Sequence, residues 1–304
     1  MTSSTRAASY RAWGIGFALA GVVAFSFRPI LIKLAYAAAP VAPVTLLFLR
    51  MAIALPFFAA IAWWLGPREP RLAARDWGAI GALGFIGYYM ASFLDFLGLQ
   101  WVGAGLGRLI LFLYPTLVLL LSLVFLKKRP SRRQLAALVL SYAGIGLVVS
   151  DSFGGGAEGG RFLAGVALVF GSSLCYAIYL VAGSQLVQRV GSTRFTAYTM
   201  IVATVPAVAQ FLALEPLSAL ALPGAVWWYA VIMATLSTVL PVFLVAEALK
   251  RIGANHFALI GAVGPVTTAL AGAIGLEEPL NGLQAAGGAL VIFGVLLVSM
   301  KRSA

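Results

Sequence analysis

The chain has 304 residues, of which 62% are apolar and 10% are charged, and its mean hydropathy is +1.00. Soluble domains carry about 25% charged residues, so this composition excludes a water-soluble fold. The apolar runs are long and continuous, which excludes the alternating pattern of a membrane β-barrel. The net charge of +12 lies in short gaps between those runs, and this placement favours orientation in a membrane over nucleic-acid binding.

Apolar segments of about 20 residues, the length that a helix needs to cross a bilayer, follow one another along the chain. Prolines and glycines such as Pro40, Pro130, Gly154 and Pro216 mark the gaps between them. We predict an all-α integral membrane protein with ten transmembrane helices, at 12–37, 42–65, 76–99, 102–125, 132–150, 162–187, 193–214, 225–249, 254–275 and 281–300.

The positive charges divide unevenly between the two sides of this predicted bundle. Sixteen of the 21 Lys and Arg residues fall on the side of the termini, and Arg161 alone falls on the other. The remaining four, Arg28, Lys33, Arg50 and Arg108, lie inside predicted helices. Because Lys and Arg accumulate in cytoplasmic loops, we predict a multi-pass protein of the cytoplasmic (inner) membrane with both termini cytoplasmic.

The chain also repeats itself at an offset of 150 residues. Seven landmarks return at that offset: Pro56 as Pro206, Trp77 as Trp227, Phe93 as Phe243, Gly103-Ala104 as Gly253-Ala254, Pro115 as Pro265, Gln134 as Gln284 and Gly144 as Gly294. We predict two five-helix repeats, 1–150 and 162–304, joined by a Gly-rich linker at 151–161. An odd number of spans inverts the second repeat, which is typical of secondary transporters with a central site.

The end of the second repeat resembles a known family. It reads Gly264-Pro265, then Leu276-Glu277-Glu278-Pro279-Leu280, then Gln284, Gly287, Gly288 and Gly294. This is similar to the closing segment of the EamA domain, which is duplicated in ten-helix members of the drug/metabolite transporter superfamily. The resemblance implies a central cavity lined mainly by helices 1, 3, 4, 6, 8 and 9, with helices 5 and 10 outside it. Within the superfamily the chain looks closest to the aromatic amino acid exporter branch.

The first repeat departs from that pattern. Lys127-Lys128-Arg129 stands where the second repeat has Glu277-Glu278-Pro279, so we assign the acidic pair no transport role. No phosphate-binding Gly-rich run is present, and one His with one Cys cannot form a recognisable metal site. No nucleophile and base are spaced for catalysis. We therefore expect neither an enzyme nor a bound metal or cofactor.

Residues halfway along the predicted helices are the candidates for a substrate site. We predict substrate contacts from Arg28 and from a set of aromatic and hydroxyl side chains: Phe25, Ser26, Tyr88, Tyr89, Tyr114, Tyr176, Tyr179, Ser237 and Thr238. Tyrosine combines a ring with a hydrogen-bonding tip, which suits a wet cavity that binds a zwitterion with an apolar body. Tyr88 and Tyr89 project about 100° apart, so one of them faces the centre.

Prolines and charges supply the predicted hinges and gates. Pro115 and Pro265 free backbone carbonyls at equivalent depths, as hinges or as simple packing kinks. Asp95 is expected to pair with Arg108 or Arg50 and to gate the outer mouth, and Arg28 is expected to attract a carboxylate. Glu247 and His256 form either a pH-sensitive inner gate or an ordinary solvated interface. Lys33 is expected to reach the lipid headgroups.

These observations predict a monomeric secondary transporter in the lipid bilayer that exports small organic solutes by alternating access. Amino acids, aromatic and other neutral ones, are the expected substrates. The alternatives are another metabolite or a hydrophobic drug on the same scaffold, or a membrane scaffold or sensor that transports nothing. Proton-coupled antiport and facilitated diffusion both remain open.

Overall fold

The computed structural model describes residues 3–65, 72–126, 131–152, 159–261, 263–278 and 282–299. Within these ranges the chain is helical apart from short turns, as the apolar runs predict. Eight described helices have the length and hydropathy to cross a bilayer, and two shorter apolar helices, Val263–Gly275 and Gly282–Leu297, follow them. The fold is therefore a ten-helix membrane bundle of two inverted five-helix repeats.

We number the ten membrane crossings as spans 1 to 10. The first five consist of these helices: Ser3–Ser26 with Arg28–Ala38, Pro43–Leu65, Ala74–Gly84 continuing to Gly98, Ala104–Leu111 with Tyr114–Leu126, and Arg132–Ser152. Spans 6, 7 and 10 are the helices Gly159–Val190, Ser192–Leu214 and Gly282–Ser299. Span 8 is Gly224–Ala234 followed by the first part of Leu240–Gly261. Span 9 is the last part of Leu240–Gly261 followed by Val263–Gly275. We call the end of the bundle where span 1 begins the terminal face, and the other end the opposite face.

The boundary between spans 8 and 9 differs from the predicted gap at 250–253. Helical hydrogen bonding continues from Leu240 to Gly261. The chain nevertheless reverses within this stretch, because Val245 packs against Gly21 while Gly264 lies beside Val22. One straight helix would separate residues 245 and 264 by about 28 Å. The predicted gap contains Lys250, Arg251 and Gly253, and these polar and small residues suggested a non-helical turn.

Four spans of the first repeat each pack mainly on one span of the second, and span 4 contacts both span 6 and span 9. Span 5 lies on span 10, span 1 on span 8, span 2 on span 7 and span 3 on span 6. Spans 5 and 10 approach so closely that a Cβ added at Gly144 would lie 2.5 Å from the Gly287 carbonyl oxygen. The same contact recurs at the offset of 150, where a Cβ on Gly294 would lie 2.7 Å from the Ala137 carbonyl oxygen. Glycine allows this close backbone approach between membrane helices.

A π-helical turn interrupts spans 3 and 8 at equivalent positions. The first covers Phe85–Met90 and the second covers Thr235–Val239, so both begin at positions 150 residues apart. A π-turn accommodates one extra residue and commonly occurs at functional sites. Here both turns lie at the centre of the bundle, where they rotate the following helical turns relative to the preceding ones.

Part of the sequence interpretation lies outside the described residues. Residues 153–158 of the predicted linker and the basic segment 127–129 are among them. The side chain of His256 is also outside the described part of the chain.

Candidate functional site

A cavity of about 190 Å³ lies between the two repeats near the middle of the bundle. Its described lining comes from spans 1 to 4 and 6 to 9, with spans 2 and 7 giving one residue each and spans 5 and 10 giving none. Besides glycines and aliphatic or thioether side chains, the lining contains three chemical groups: the arginines Arg28, Arg50 and Arg108, the aromatic rings Phe25, Tyr88, Phe112, Tyr114 and Tyr176, and the hydroxyls Ser92, Ser172 and Thr238.

The lining follows the repeat. Five pairs of lining residues stand 150 positions apart: Val22 and Ser172, Arg50 and Met200, Tyr88 and Thr238, Ser92 and Val242, Leu111 and Gly261. The cavity is therefore lined by equivalent positions of both halves and lies at the pseudo-twofold axis that relates them. This is the location expected for a site that is exposed to each side in turn.

Arg28 and Asp95 form the ion pair of this site. The Arg28 Nη2 donates to Asp95 Oδ2 at 3.0 Å, and the Asp95 side chain is 1% exposed. The sequence had suggested Arg108 or Arg50 as the partner of Asp95, and the structure places Arg28 there instead. Spacing along the chain gives the depth of a residue but not the rotation of its helix, so the partner could not be chosen from sequence.

Arg50 is buried and Arg108 is half-buried, and neither has a carboxylate partner among the residues that the structure describes. Arg50 donates to Ser92 Oγ at 2.8 Å, and its guanidinium lies over the Phe96 ring, 5.2 Å from the centroid. Arg108 reaches toward Gly264, and no hydrogen bond or ion pair of its side chain occurs within the described ranges. The Nε atoms of all three cavity arginines and the Oδ1 atom of Asp95 are buried without a hydrogen-bond partner. Four unsatisfied polar atoms around one cavity suit a site that binds a polar ligand.

Three of the predicted tyrosines line the cavity, namely Tyr88, Tyr114 and Tyr176. The Tyr176 ring meets the Tyr114 ring edge-on at 5.2 Å and stacks on the Tyr179 ring at 5.8 Å. Tyr179 lies behind this wall, and its hydroxyl donates to the Tyr88 hydroxyl at 3.5 Å. These contacts fix the orientation of the rings that face the cavity.

The structure does not bring every predicted residue to the lining. Tyr89 packs away from the cavity against Phe85 and Phe93, so Tyr88 is the member of the adjacent pair that faces the centre. Ser26 is buried and donates to the Val22 carbonyl at 2.7 Å. Ser237 is buried beside the lining residue Thr238. The Thr238 hydroxyl lies in the π-turn and donates to the Met233 carbonyl at the end of the preceding helix.

Pro115 occupies the first turn of the helix that follows a break in span 4, and its counterpart Pro265 lies near the start of the described helix Val263–Gly275. Span 4 stops at Leu111 and resumes at Tyr114, so Pro115 occurs where a missing N–H costs little. The freed Leu111 carbonyl accepts the Ser173 hydroxyl of span 6 at 3.1 Å. The counterpart of Ser173 in the first repeat is Val23, which has no hydroxyl to offer the Gly261 carbonyl.

Glu247 forms an ion pair on its own helix rather than a contact with the cavity. Its Oε2 atom lies 3.3 Å from Arg251 Nη2, and the Arg251 guanidinium stacks over the Tyr10 and Phe17 rings of span 1. This group belongs to the terminal face of the span 1 and span 8 contact. No cluster of three potential metal ligands occurs in the described part of the chain.

Glu278 makes a contact that the sequence analysis missed. Its carboxylate accepts hydrogen bonds from the backbone N–H groups of Ala104 at 2.6 Å and Gly105 at 3.1 Å. It thereby caps the first turn of span 4 from the end of span 9, and Gly103 and Gly272 leave the space that it occupies. An acidic side chain at a helix N-terminus is favourable because it satisfies free N–H groups and the positive end of the helix dipole. This cap joins the two repeats at the opposite face.

Arg50, Ser92, Phe112 and Ser172 are among the lining residues that sequence reasoning left out of the substrate site. Arg50 could have been recognised from the sequence, because an arginine inside a predicted membrane span is by default a functional candidate. A second signal was the repeat itself. Arg28, Arg50, Asp95 and Arg108 correspond to Ile178, Met200, Val245 and Ala258, so the charges appear in one copy only.

A helical membrane bundle whose two inverted repeats enclose a polar cavity with aromatic walls has the architecture of a membrane transporter. The EamA-like transporter family matches residues 12–150 and 163–300. The chain belongs to the EamA-like transporter family.

Individual relatives agree with this assignment. The uncharacterized transporter YcbK of Bacillus subtilis (strain 168) is 32% identical over 299 residues, which cover 95% of this chain and 93% of YcbK. The threonine/homoserine exporter RhtA of Escherichia coli (strain K12) is 32% identical over 146 residues, covering 46% of this chain and 45% of RhtA. One crystal structure with 18% identity covers 94% of this chain and 98% of its own at a TM-score of 0.66, which supports the fold alone.

Proposed function

We propose that this transporter exports small organic solutes, amino acids first among them, across the cytoplasmic membrane by alternating access. The observation that carries the proposal is the central cavity in which the Arg28–Asp95 ion pair lies beside a wall of tyrosine rings. Amino acids carry a carboxylate, an ammonium group and a side chain, and this cavity offers a partner for each. Both chain termini lie in the cytoplasm in this proposal, because the positive charges accumulate on their side.

The polar groups of the cavity match the two ends of an amino acid. Arg28 retains an unpaired buried Nε–H that can donate to a carboxylate. Asp95 lies behind Arg28 rather than in the lining, and its unpaired Oδ1 is the acceptor nearest to the cavity for an ammonium group. Arg50 and Arg108 add further donors for the carboxylate. The rings of Tyr88, Tyr114 and Tyr176 then pack against the side chain of the substrate.

The relatives support export without fixing the substrate of this chain. RhtA is named as an exporter of threonine and homoserine, and it matches less than half of this chain. The alternatives on the same scaffold are another metabolite or a hydrophobic drug. A cationic drug is disfavoured because the lining has three arginines and the single acid near it is already paired. One chain encloses the whole cavity, so the functional unit in this proposal is a monomer.

The test is counterflow into proteoliposomes that contain the purified full chain. Radiolabelled threonine, leucine and phenylalanine would be offered outside, with the same unlabelled amino acid inside, with and without a pH gradient. We expect accelerated uptake of at least one of them, and a reduction of about tenfold or more in the Arg28→Met variant. Arg161→Met, a charge loss at an exposed position away from the cavity, is the control. Folded protein that moves none of them would rule out amino-acid export.

A further inference from the structure

The cavity carries more positive charge than a zwitterion can neutralise. Arg28, Arg50 and Arg108 line it, and no acidic residue does. Asp95, which lies directly behind Arg28, compensates one of the three charges through the 3.0 Å ion pair. Only nine acidic residues occur in the whole sequence, and the other eight lie near the ends of the predicted helices or between them. Two guanidinium groups therefore remain without a counter-charge.

Leaving guanidinium groups uncompensated inside a membrane protein is costly, so the two charges need an explanation. Arg50 is 2% exposed, and its side-chain partners are a hydroxyl, a thioether and an aromatic ring. The fold does not require the charge, because Met200 occupies the equivalent lining position in the second repeat. Likewise Ala258 and Ile178 stand at the positions that correspond to Arg108 and Arg28.

The uncharged part of the lining indicates the shape and polarity of a ligand that would fit the cavity. Phe25, Phe112 and the three lining tyrosines give the cavity flat apolar walls, and the hydroxyls of Ser92 and Ser172 lie among them. A ligand that fits has a compact, preferably aromatic body, and its charged group is negative.

We infer that the cavity selects organic anions: carboxylates with an aromatic or other apolar body and a net negative charge, in preference to zwitterions or cations of the same skeleton. This inference rests on the part of the proposed function that makes the cavity the site of an exported organic solute, and it replaces the amino acid with an anion as the preferred substrate class. The carboxylate replaces the missing counter-charge of Arg50 and Arg108. An added ammonium group would face these two arginines as well as Asp95, which lowers the affinity.

Three compounds with one skeleton separate the possibilities. They are 3-phenylpropionate as the anion, phenylalanine as the zwitterion and phenethylamine as the cation. Binding to the purified full chain would be measured by isothermal titration calorimetry, and transport by counterflow in proteoliposomes. We expect 3-phenylpropionate to bind about tenfold or more tightly than phenylalanine, and phenethylamine to bind most weakly.

Replacing Arg50 and Arg108 by the residues at the equivalent positions of the second repeat tests whether these arginines cause the preference for the anion. Arg50→Met and Arg108→Ala should each reduce the affinity for 3-phenylpropionate about tenfold while changing that for phenylalanine less. Arg161→Met should leave both unchanged. If the variants fail to fold, Arg50→Lys and Arg108→Lys keep the charge, and they should retain the preference for the anion with weaker binding.

The outcomes distinguish this inference from the proposed function. If phenylalanine is bound and moved as well as or better than 3-phenylpropionate, the anion inference is wrong and amino-acid export stands. If 3-phenylpropionate alone is moved, the inference stands and amino acids are not the substrates. Folded protein that binds none of the three compounds would overturn the inference.

Discussion

Arg28 and Asp95 can be tested with residues that the scaffold already contains at the equivalent positions, Ile178 and Val245. Asp95→Val alone leaves Arg28 buried beside two other arginines, and we expect it to lower the free energy of unfolding by about 3–5 kcal/mol. The double variant Arg28→Ile/Asp95→Val removes both charges, so most of that stability should return. Thermal unfolding in detergent measures both. If the double variant loses as much stability as Asp95→Val, or more, the two side chains are not energetically coupled.

The residue scale is also where the sequence was least informative. The depth of Arg28, Asp95, Arg108 and the tyrosines followed from counting along each span, and that placed most of them near one another. The rotation of each helix did not follow, because the apolar residues surround the spans on all sides. The partner of Asp95 and the outward direction of Tyr89 therefore needed the structure.

At the scale of elements, the contact between spans 5 and 10 depends on glycine at specific positions. A Cβ at Gly144 would lie 2.5 Å from the Gly287 carbonyl oxygen, whereas a Cβ at Gly146 would have no neighbour within 4 Å. We expect Gly144→Ala to lower the free energy of unfolding by about 1–3 kcal/mol and Gly146→Ala to be neutral or stabilising. Comparing their melting temperatures in detergent tests this. Equal effects would mean that the two helices separate easily.

The Glu278 cap gives a second prediction at this scale. Glu278→Ala removes the acceptor of two N–H groups at the start of span 4, a loss of about 0.5–2 kcal/mol for a helix cap. Hydrogen–deuterium exchange at Ala104 and Gly105 should accelerate in this variant. Glu277→Ala is the matched control, because the exposed Glu277 is the adjacent acid and is not part of the cap. Unchanged exchange in Glu278→Ala would show that the cap does not protect these two N–H groups.

The elements themselves were largely predictable, with two physical exceptions. Long apolar runs and prolines placed the gaps closely enough to give ten spans, and the offset of 150 related the two halves. The π-turns at Phe85–Met90 and Thr235–Val239 were not predictable, because an extra residue in a helical turn requires no particular amino acid and leaves no pattern in the sequence. The reversal between spans 8 and 9 was predicted as a loop because Lys250, Arg251 and Gly253 are residues that also occur in loops at the membrane surface. In the structure these residues remain helical.

At the scale of the whole molecule, the sequence predicts that most Lys and Arg residues lie on the side of the chain termini, and this orientation can be measured. In a Cys175→Ser background, single cysteines would replace Tyr10 at the terminal face and Leu217 after span 7, both of which are exposed. We expect a membrane-impermeant maleimide to label the Leu217→Cys variant in intact cells, and the Tyr10→Cys variant only after permeabilisation. The reverse pattern would place the termini outside the cell.

The matching π-turns also carry information about the history of the chain. Two extra residues at equivalent positions are most simply explained if one was present in a single five-span ancestor before that unit was duplicated. An odd number of spans means that two such units had to insert in opposite orientations to pair. Arg28, Arg50, Asp95 and Arg108 have uncharged counterparts, so the two descendants diverged in charge at the cavity. The scaffold is thus shared by both repeats, whereas the charged groups at the cavity belong to the first repeat alone.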